Sequence, residues 1–440
     1  MPTNELSLNS VNQPSWQSEL RDARLATDAF LKGLHKQPAA RHQGTFTFFA
    51  TQSYLNKINL NDLDHCPIYL QVFGSHLETD TFDASITGLQ QLIRPQALEL
   101  DPIGDLSLAM APRITHRYHD RVLVHAAEYC AVNCRFCFRK HHLAAHTPLY
   151  ESAASDLLAS LTQLNATPQV NEIIFTGGDV FTYGDVWFER LAEVLESLSY
   201  IRIVRFHSRV PVVLPTRFND DLLQILTRIN KKKRVHIVTH FNHTQEIDGE
   251  TRHYLAGLKS AVNLVMNQSV LLDGVNDSVA ALRALSDVLI DNGVIPYYLH
   301  HTDQVPQTSG FRVPIARGQA LMQELTQQVS PIAAPKYVLD IPSGSRIFSK
   351  AQTEILSNEA RRTQLMAGAL SNAPEWFGYG KINLQNAQLE TLDSWMSLAG
   401  YQHTLYRVRP TRVVRAGAVQ TSARTDDQYV VYLETLPLKK

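Results

Sequence analysis

Cys130-Ala-Val-Asn-Cys134-Arg-Phe-Cys137 constrains this chain more than any other stretch. Three thiols at spacings of four and three residues can meet on one small object only if the backbone loops around it. The apolar run Val122 to His125 just before it reads as a β-strand, so the cysteines stand on a loop that leaves a strand. Iron–sulfur clusters take Cys thiolates at such spacings. Three thiols would leave one iron of a [4Fe–4S] cube without a protein ligand, open to chelation by a small molecule. A zinc site or three buried thiols are the competing readings. Structural zinc usually takes four protein ligands, and His141 or His142 would have to be the fourth.

The other cysteine use agrees with a metal loop rather than a disulfide framework. Of the 4 cysteines only Cys66 lies outside the loop, and it reads as a small core residue in a reducing compartment. The 41 basic and 42 acidic residues nearly cancel, which removes the electrostatic case for nucleic acid or membrane partners. No apolar run approaches the roughly 18 residues of a membrane span. The start, Met-Pro-Thr-Asn-Glu-Leu, lacks the basic and apolar regions of a signal peptide, so a cytoplasmic protein is expected.

From Arg121 the pattern turns regular. β-rich runs at 121–125, 171–175, 201–206, 234–239, 262–266 and 294–299 alternate with helical patterns at 151–164, 185–198, 218–230, 247–259 and 278–291. A helix at 316–328 and a strand at Tyr337 to Leu339 continue the series. Such alternation means an α/β fold of parallel strands with right-handed crossovers, wound into a barrel or an open sheet. No glycine-rich dinucleotide fingerprint follows the first strand, which counts against a Rossmann fold. The flanks divide the chain into an N-terminal helical preface (1–110), the barrel (111–345) and a C-terminal extension (346–440). In the preface, Trp16 to Leu34 and Asp83 to Leu92 have helical spacing, while Ile93 to Asp105 is irregular. In the extension, Tyr406 to Arg415 is basic and β-like and reads as a solvated face or subunit contact; Gln428 to Glu434 is a further strand.

Barrels of βα units carry their working residues on loops at the C-terminal ends of strands. Polar residues gather at each such place here. Thr176-Gly177-Gly178-Asp179 follows the second strand, His207-Ser208-Arg209 the third, and Thr239-His240-Phe241-Asn242-His243 the fourth. Asn267-Gln268-Ser269 and His300-His301-Thr302-Asp303 end the fifth and sixth.

With these residues in view, the chain resembles a radical S-adenosylmethionine enzyme of the lysine 2,3-aminomutase family from about Arg94 to Pro342. The passages that carry the likeness are Thr115-His-Arg-Tyr-His-Asp-Arg121, the cysteine loop, Gly177-Gly178-Asp179, Ser208 to Pro215, Thr239 to His243 and Asn267 to Asp277. The resemblance implies a partial (βα)6 barrel with a [4Fe–4S] cluster on Cys130, Cys134 and Cys137. It implies S-adenosylmethionine held by Gly177, Gly178, Asp179, Asn267 and Gln268, and an electron donor such as flavodoxin or ferredoxin. A 5′-deoxyadenosyl radical would take hydrogen from an amino-acid-like substrate, and an amino group would migrate by one carbon. Arg139 would grip the substrate carboxylate, which suits a planar guanidinium. Asp303 and Asp340 would accept a cationic distal end. Arg117, Tyr118 and Arg121 match residues that face the phosphate of pyridoxal phosphate. A homo-oligomer is compatible with the family.

The chain also departs from the family. The lysine that anchors pyridoxal phosphate belongs in the run Asp340-Ile-Pro-Ser-Gly-Ser-Arg346-Ile347, where Arg346 or Ile347 takes its place. Arginine stays protonated and forms no imine. Lys350 could substitute only through a rebuilt loop. No cysteine follows Cys137, so the metal-binding tail cysteines of some relatives are absent. Two alternatives therefore stand beside amino migration. One is epimerisation, dehydrogenation or elimination without pyridoxal phosphate; the other is a cluster-binding regulatory paralogue.

Overall fold

The computed structural model describes residues 15–34, 38, 46–74, 89, 109–111, 113–140, 151–305, 307–341, 347–357, 377–385, 389–397, 401–409, 414–415 and 429–437. The irregular stretch Ile93 to Asp105, Arg346, His141, His142 and nearly all of the Asp83 to Leu92 helix lie outside these residues.

A short antiparallel pair, β1 (Ala109–Ala111) and β2 (Ile114–Thr115), leads into β3 (Arg121–Ala127). From β3 the sheet runs parallel through β4 (Glu172–Gly177), β5 (Ile203–Ser208), β6 (Arg234–Thr239), β7 (Leu264–Val270), β8 (Ile295–His300) and β9 (Lys336–Ile341). Helices Glu151–Leu161, Asp185–Ser197, Asp220–Lys232, Gly249–Ala261, Val279–Asp291 and Ile315–Gln328 make the crossovers. Among the described residues the sheet has two ends that do not pair with each other, so the barrel is partial. The strands and helices expected in the barrel are present, with ends displaced by a few residues; β7 runs on to Val270, beyond its apolar stretch.

The two-residue repeat of the strands sorts their side chains. Val122, Val124, Ile173, Phe175, Val204, Phe206, Val235, Ile237 and Val265 turn outward and pack against Leu191, Leu195, Leu222, Ile229, Leu255 and Leu258 of the helices. The alternate residues face the concave side. Local signals fix the helix ends. Asn219 accepts from Leu222 N at 3.1 Å and Asp248 from Thr251 N at 2.8 Å, both N-caps. Asp220 and Asp221 in the first turn and Lys231 and Lys232 in the last complement the dipole of the helix Asp220–Lys232.

Beyond residue 345 the chain builds a second sheet and also extends the first. β10 (Ile347–Phe348), β12 (Leu389–Met396), β13 (Tyr401–Val408) and β15 (Tyr429–Pro437) form a four-stranded antiparallel sheet in the order β10-β15-β13-β12. β11 (Phe377–Asn383) instead pairs with β9, placing Lys381 opposite Asp340, and β14 (Val414–Arg415) pairs with β11. Arg407, expected on a solvated face or subunit contact, is 6% exposed. Its Nε donates to Glu390 Oε2 at 3.0 Å and its Nη1 to Thr353 Oγ1 at 2.9 Å, so its charge is spent inside the C-terminal element. Among the described residues no helix is long and apolar enough to cross a membrane.

Candidate active site

The concave face encloses a cavity of about 640 Å³. Because its strands are parallel, position along a strand gives depth. Cys130, Cys134 and Cys137 line the end at the strands' C-termini, while Arg121 and Lys336, each the first residue of its strand, line the other. Among the described residues no three metal-ligating side chains converge on one point, as a single ion would need. A cubane asks for less convergence, since each thiolate takes a different iron.

The cysteine loop is held from two sides. On one, Gly178 N donates to Ala127 O at 2.5 Å and Asp179 N to Tyr129 O at 2.8 Å. Gly177 has φ +101°, a region that suits glycine. A Cβ on Gly178 would stand 2.4 Å from Tyr129 O and 2.7 Å from Tyr129 N. Close backbone approach was expected here toward a ligand; the Cβ direction instead faces the arm of the cysteine loop. On the other side, Asn133 N donates to Phe49 O at 2.9 Å and Arg135 N to Gln71 O at 2.8 Å. Arg135 is buried, with Nη1 on Phe46 O at 3.0 Å. The segment 46–73, read from sequence as part of a helical preface, thus clamps the metal loop.

A buried network that the sequence reading missed sits behind Cys134. Arg209 Nη1 donates to Cys134 Sγ at 2.7 Å. Its Nη2 reaches Tyr54 OH at 2.9 Å, Gln71 Oε1 at 2.6 Å and Glu246 Oε1 at 2.8 Å. Glu246 also accepts from Tyr54 OH at 2.9 Å, Asn242 N at 2.6 Å and His243 N at 3.0 Å. A buried ion pair repays its desolvation only when most of its remaining sites are filled; here the Nε of Arg209 is the buried guanidinium nitrogen with no hydrogen-bond partner among the described residues. The guanidinium faces a sulfur, an arrangement that suits a thiolate. Arg209 stood in a noted strand-end cluster, but nothing in the spacing of Tyr54 or Gln71 marks them as its partners.

Two residues expected to hold S-adenosylmethionine have their polar atoms engaged within the protein. Asp179 is 5% exposed and accepts from Ser208 Oγ at 2.8 Å, Arg209 N at 2.7 Å, Phe181 N at 3.2 Å and Val210 N at 3.1 Å. Burial nevertheless pushes its carboxyl up to about 6, against the hydrogen bond from Ser208. Its carboxylate ties the end of β4 to the turn after β5. Asn267 is 1% exposed and does not line the cavity. Its Oδ1 accepts from Thr239 Oγ1 and Phe241 N at 3.0 and 2.7 Å, and its Nδ2 donates to Phe241 O and Ser269 Oγ at 3.0 and 2.9 Å. Strand alternation turns Gln268, its neighbour, into the cavity.

The remaining expected residues share the cavity. Arg139 Nη1 donates to His125 Nδ1 at 3.0 Å, which leaves Nε2–H of His125 to donate to Thr115 Oγ1 at 3.0 Å. Asp303 and Asp340 line the same wall, with His300 Nδ1 3.0 Å from Asp340 Oδ2. His240 also lines it. Burial first, then Arg209, hold its imidazole well below the usual range, so it is neutral. Its buried Nε2 meets no hydrogen-bond partner among the described residues, a place where a ligand atom fits. At the far end stand Arg117, Tyr118, Arg121, Arg205 and Lys336, a cationic group in which Arg121 also meets Asp120 and Arg205 meets Glu172. The guanidinium carbon of Arg121 lies 3.8 Å from the Tyr118 ring centroid. The backbone of Ile347 pairs with Val430 in the C-terminal sheet. Lys350 is exposed, begins the helix Lys350–Leu356, and is not among the residues that line the cavity.

The profile described as Radical SAM superfamily matches residues 125–292. L-lysine 2,3-aminomutase of Escherichia coli (strain K12) is 30% identical over 342 residues, covering 76% of this chain and 94% of its own length. The enzyme of that name from Fusobacterium nucleatum is 31% identical over 321 residues, covering 73% of this chain and 71% of its own. A solved radical SAM methyltransferase from Sphaerobacter thermophilus shows a looser likeness, with TM-score 0.38 and 17% identity over 53% of this chain and 71% of that one.

Proposed function

The chain belongs to the lysine 2,3-aminomutase family of radical S-adenosylmethionine enzymes, and on that footing we propose that it moves an amino group between adjacent carbons of an amino acid with a cationic far end. Family membership makes it an isomerase-type radical enzyme and implies a [4Fe–4S] cluster and S-adenosylmethionine; the migration and the substrate are the proposal. The observation that carries it is a single cavity lined by three cysteines, by Arg139 and by the acidic pair Asp303 and Asp340.

Cys130, Cys134 and Cys137 would hold the cluster, with Arg209 donating to Cys134 Sγ. Gln268, His240 and the backbone of Gly177 and Gly178 would meet S-adenosylmethionine, while Asp179 and Asn267 fix the turns that carry them. When bound, the two groups supply a 5′-deoxyadenosyl radical that takes hydrogen from the substrate. Arg139 would orient the substrate carboxylate, and Asp303 and Asp340 the distal cation, so that one C–H bond is presented in a fixed place. Walls of Leu123, Ile174, Val238, Val270 and Val338 keep water from that place.

Arg117, Tyr118 and Arg121 fit the phosphate of pyridoxal phosphate, but the described residues provide no lysine from the family's anchoring loop. That observation favours a second reading, radical chemistry on the same substrate class without the cofactor. Two measurements decide between them. Borohydride reduction with added pyridoxal phosphate, followed by peptide mapping, is expected to leave Lys350 unlabelled. Among the described residues Lys336 is the lysine that lines the cavity, and it is the position to which a reducible adduct would map. Amino-acid analysis after turnover with lysine is expected to show a β-amino acid. Label on Lys350 would mean that the loop is rebuilt around the cofactor. Deoxyadenosine with no β-amino acid would replace migration by the second reading.

A further inference from the structure

The second sheet meets the barrel at the loop that follows β8, the loop that carries Asp303. Gln304 Nε2 donates to Leu433 O at 2.5 Å, and Arg312 Nη1 donates to Thr435 O at 3.1 Å. Between those two carbonyls, Glu434 points inward and is 2% exposed. Its Oε1 accepts from Ile315 N at 2.8 Å and lies 3.8 Å from His301 Nε2, and its Oε2 accepts from Tyr406 OH at 3.1 Å. His301 is neutral, pushed down to about 3 by burial and by Arg312, and its Nδ1 meets Tyr337 OH at 2.9 Å. Arg312 also stitches the loop to itself, with Nη2 on Val305 O at 3.1 Å. The carbonyl of Asp303 accepts from Val305 N at 3.0 Å and from Thr308 Oγ1 at 3.2 Å.

These contacts bracket Thr302 and Asp303, of which Asp303 lines the cavity. His301, two positions before Asp303, and Gln304, one position after it, both meet β15. β15 pairs with β13 along its length and with β10 only at Tyr429 and Val430, so at Leu433 and Thr435 β13 fixes one edge of the strand while the carbonyls on the other edge take the loop. We infer that β15, through Glu434 and the carbonyls of Leu433 and Thr435, positions Asp303 against the distal cation of the substrate. This rests on the reading of Asp303 given above and assigns the C-terminal sheet a share in specificity. A residue displaced by a fraction of an ångström loses much of a charge-assisted hydrogen bond while the rest of the site stays intact.

The test is equilibrium binding of L-lysine and of L-norleucine, which lacks the distal ammonium, to the reconstituted full-length protein. Glu434→Ala and, separately, the milder Gln304→Ala should each weaken lysine binding about 2- to 10-fold, the scale of one net hydrogen bond, and leave norleucine unchanged. Glu434→Gln keeps an acceptor for Ile315 N and should restore lysine binding toward that of the unaltered protein. In a double-mutant cycle, Gln304→Ala added to Asp303→Asn should cost lysine nothing further, because both act on one contact. Additive losses, or equal losses for lysine and norleucine, would overturn the positioning role. Unchanged lysine binding in Asp303→Asn alone would overturn the reading of Asp303, and this inference with it.

Discussion

Replacing any one of Cys130, Cys134 or Cys137 by alanine is expected to abolish the iron–sulfur cluster, while Cys66→Ala leaves it in place. Each loop thiolate would ligate a separate iron, so a single loss opens a second iron to solvent in a cluster that already has one open site. Cys66 differs in kind. It is 3% exposed, precedes the helix Pro67–Phe73, and accepts from Asn59 N at 3.3 Å. Its truncation should cost about 1 kcal/mol of stability, through a small void, and no iron. Iron and sulfide analysis of anaerobically reconstituted protein checks both, with about four irons per chain expected where all three thiols remain. Retained zinc without iron would contradict the cluster.

Gly178→Ala should also empty the site, although Gly178 ligates nothing. The new methyl would stand 2.4 Å from the carbonyl oxygen of Tyr129, and backbone cannot swing aside as a flexible side chain can. The arm that leads to Cys130 would have to move, breaking the bonds from Gly178 N to Ala127 O and from Asp179 N to Tyr129 O. Iron content is expected to fall by about tenfold, with a loss of at least about 2 kcal/mol of stability. Gly184→Ala is the matched control. A Cβ there meets nothing within 4 Å and Gly184 only caps the helix Asp185–Ser197, so iron should stay and stability should fall by about 1 kcal/mol or less. Full iron loading in Gly178→Ala would show that the loop does not depend on this close approach.

The parallel sheet was legible because its signals are local. Apolar runs and helical periodicity lie within the elements they mark. The cavity was legible by a rule of topology, since strand-end loops of a βα barrel share one face. Within those loops residue type alone does not say which side chains face inward. Asn267 and Gln268 are both polar, yet only one can face inward. Val265, two residues before Asn267 and on the same face, packs in the core under the helices, and that alternation is the signal that separates them. Asp179 is a different case, since it lines the cavity and its carboxylate also holds a turn. A buried carboxylate can serve a ligand or fill the donors of a turn, and only its four partners reveal the second. Tyr54, Gln71 and Phe49 were illegible, because their contacts with the cysteine loop span long sequence separations.

Production of 5′-deoxyadenosine tests the central claim most directly. Anaerobically reconstituted protein, reduced chemically and given S-adenosylmethionine, should release 5′-deoxyadenosine and methionine slowly alone and faster with L-lysine, since substrate closes the cavity around the reacting atoms. L-norleucine should stimulate less, having nothing to offer Asp303 and Asp340. A protein that carries its full iron yet yields no deoxyadenosine under these conditions would contradict the account.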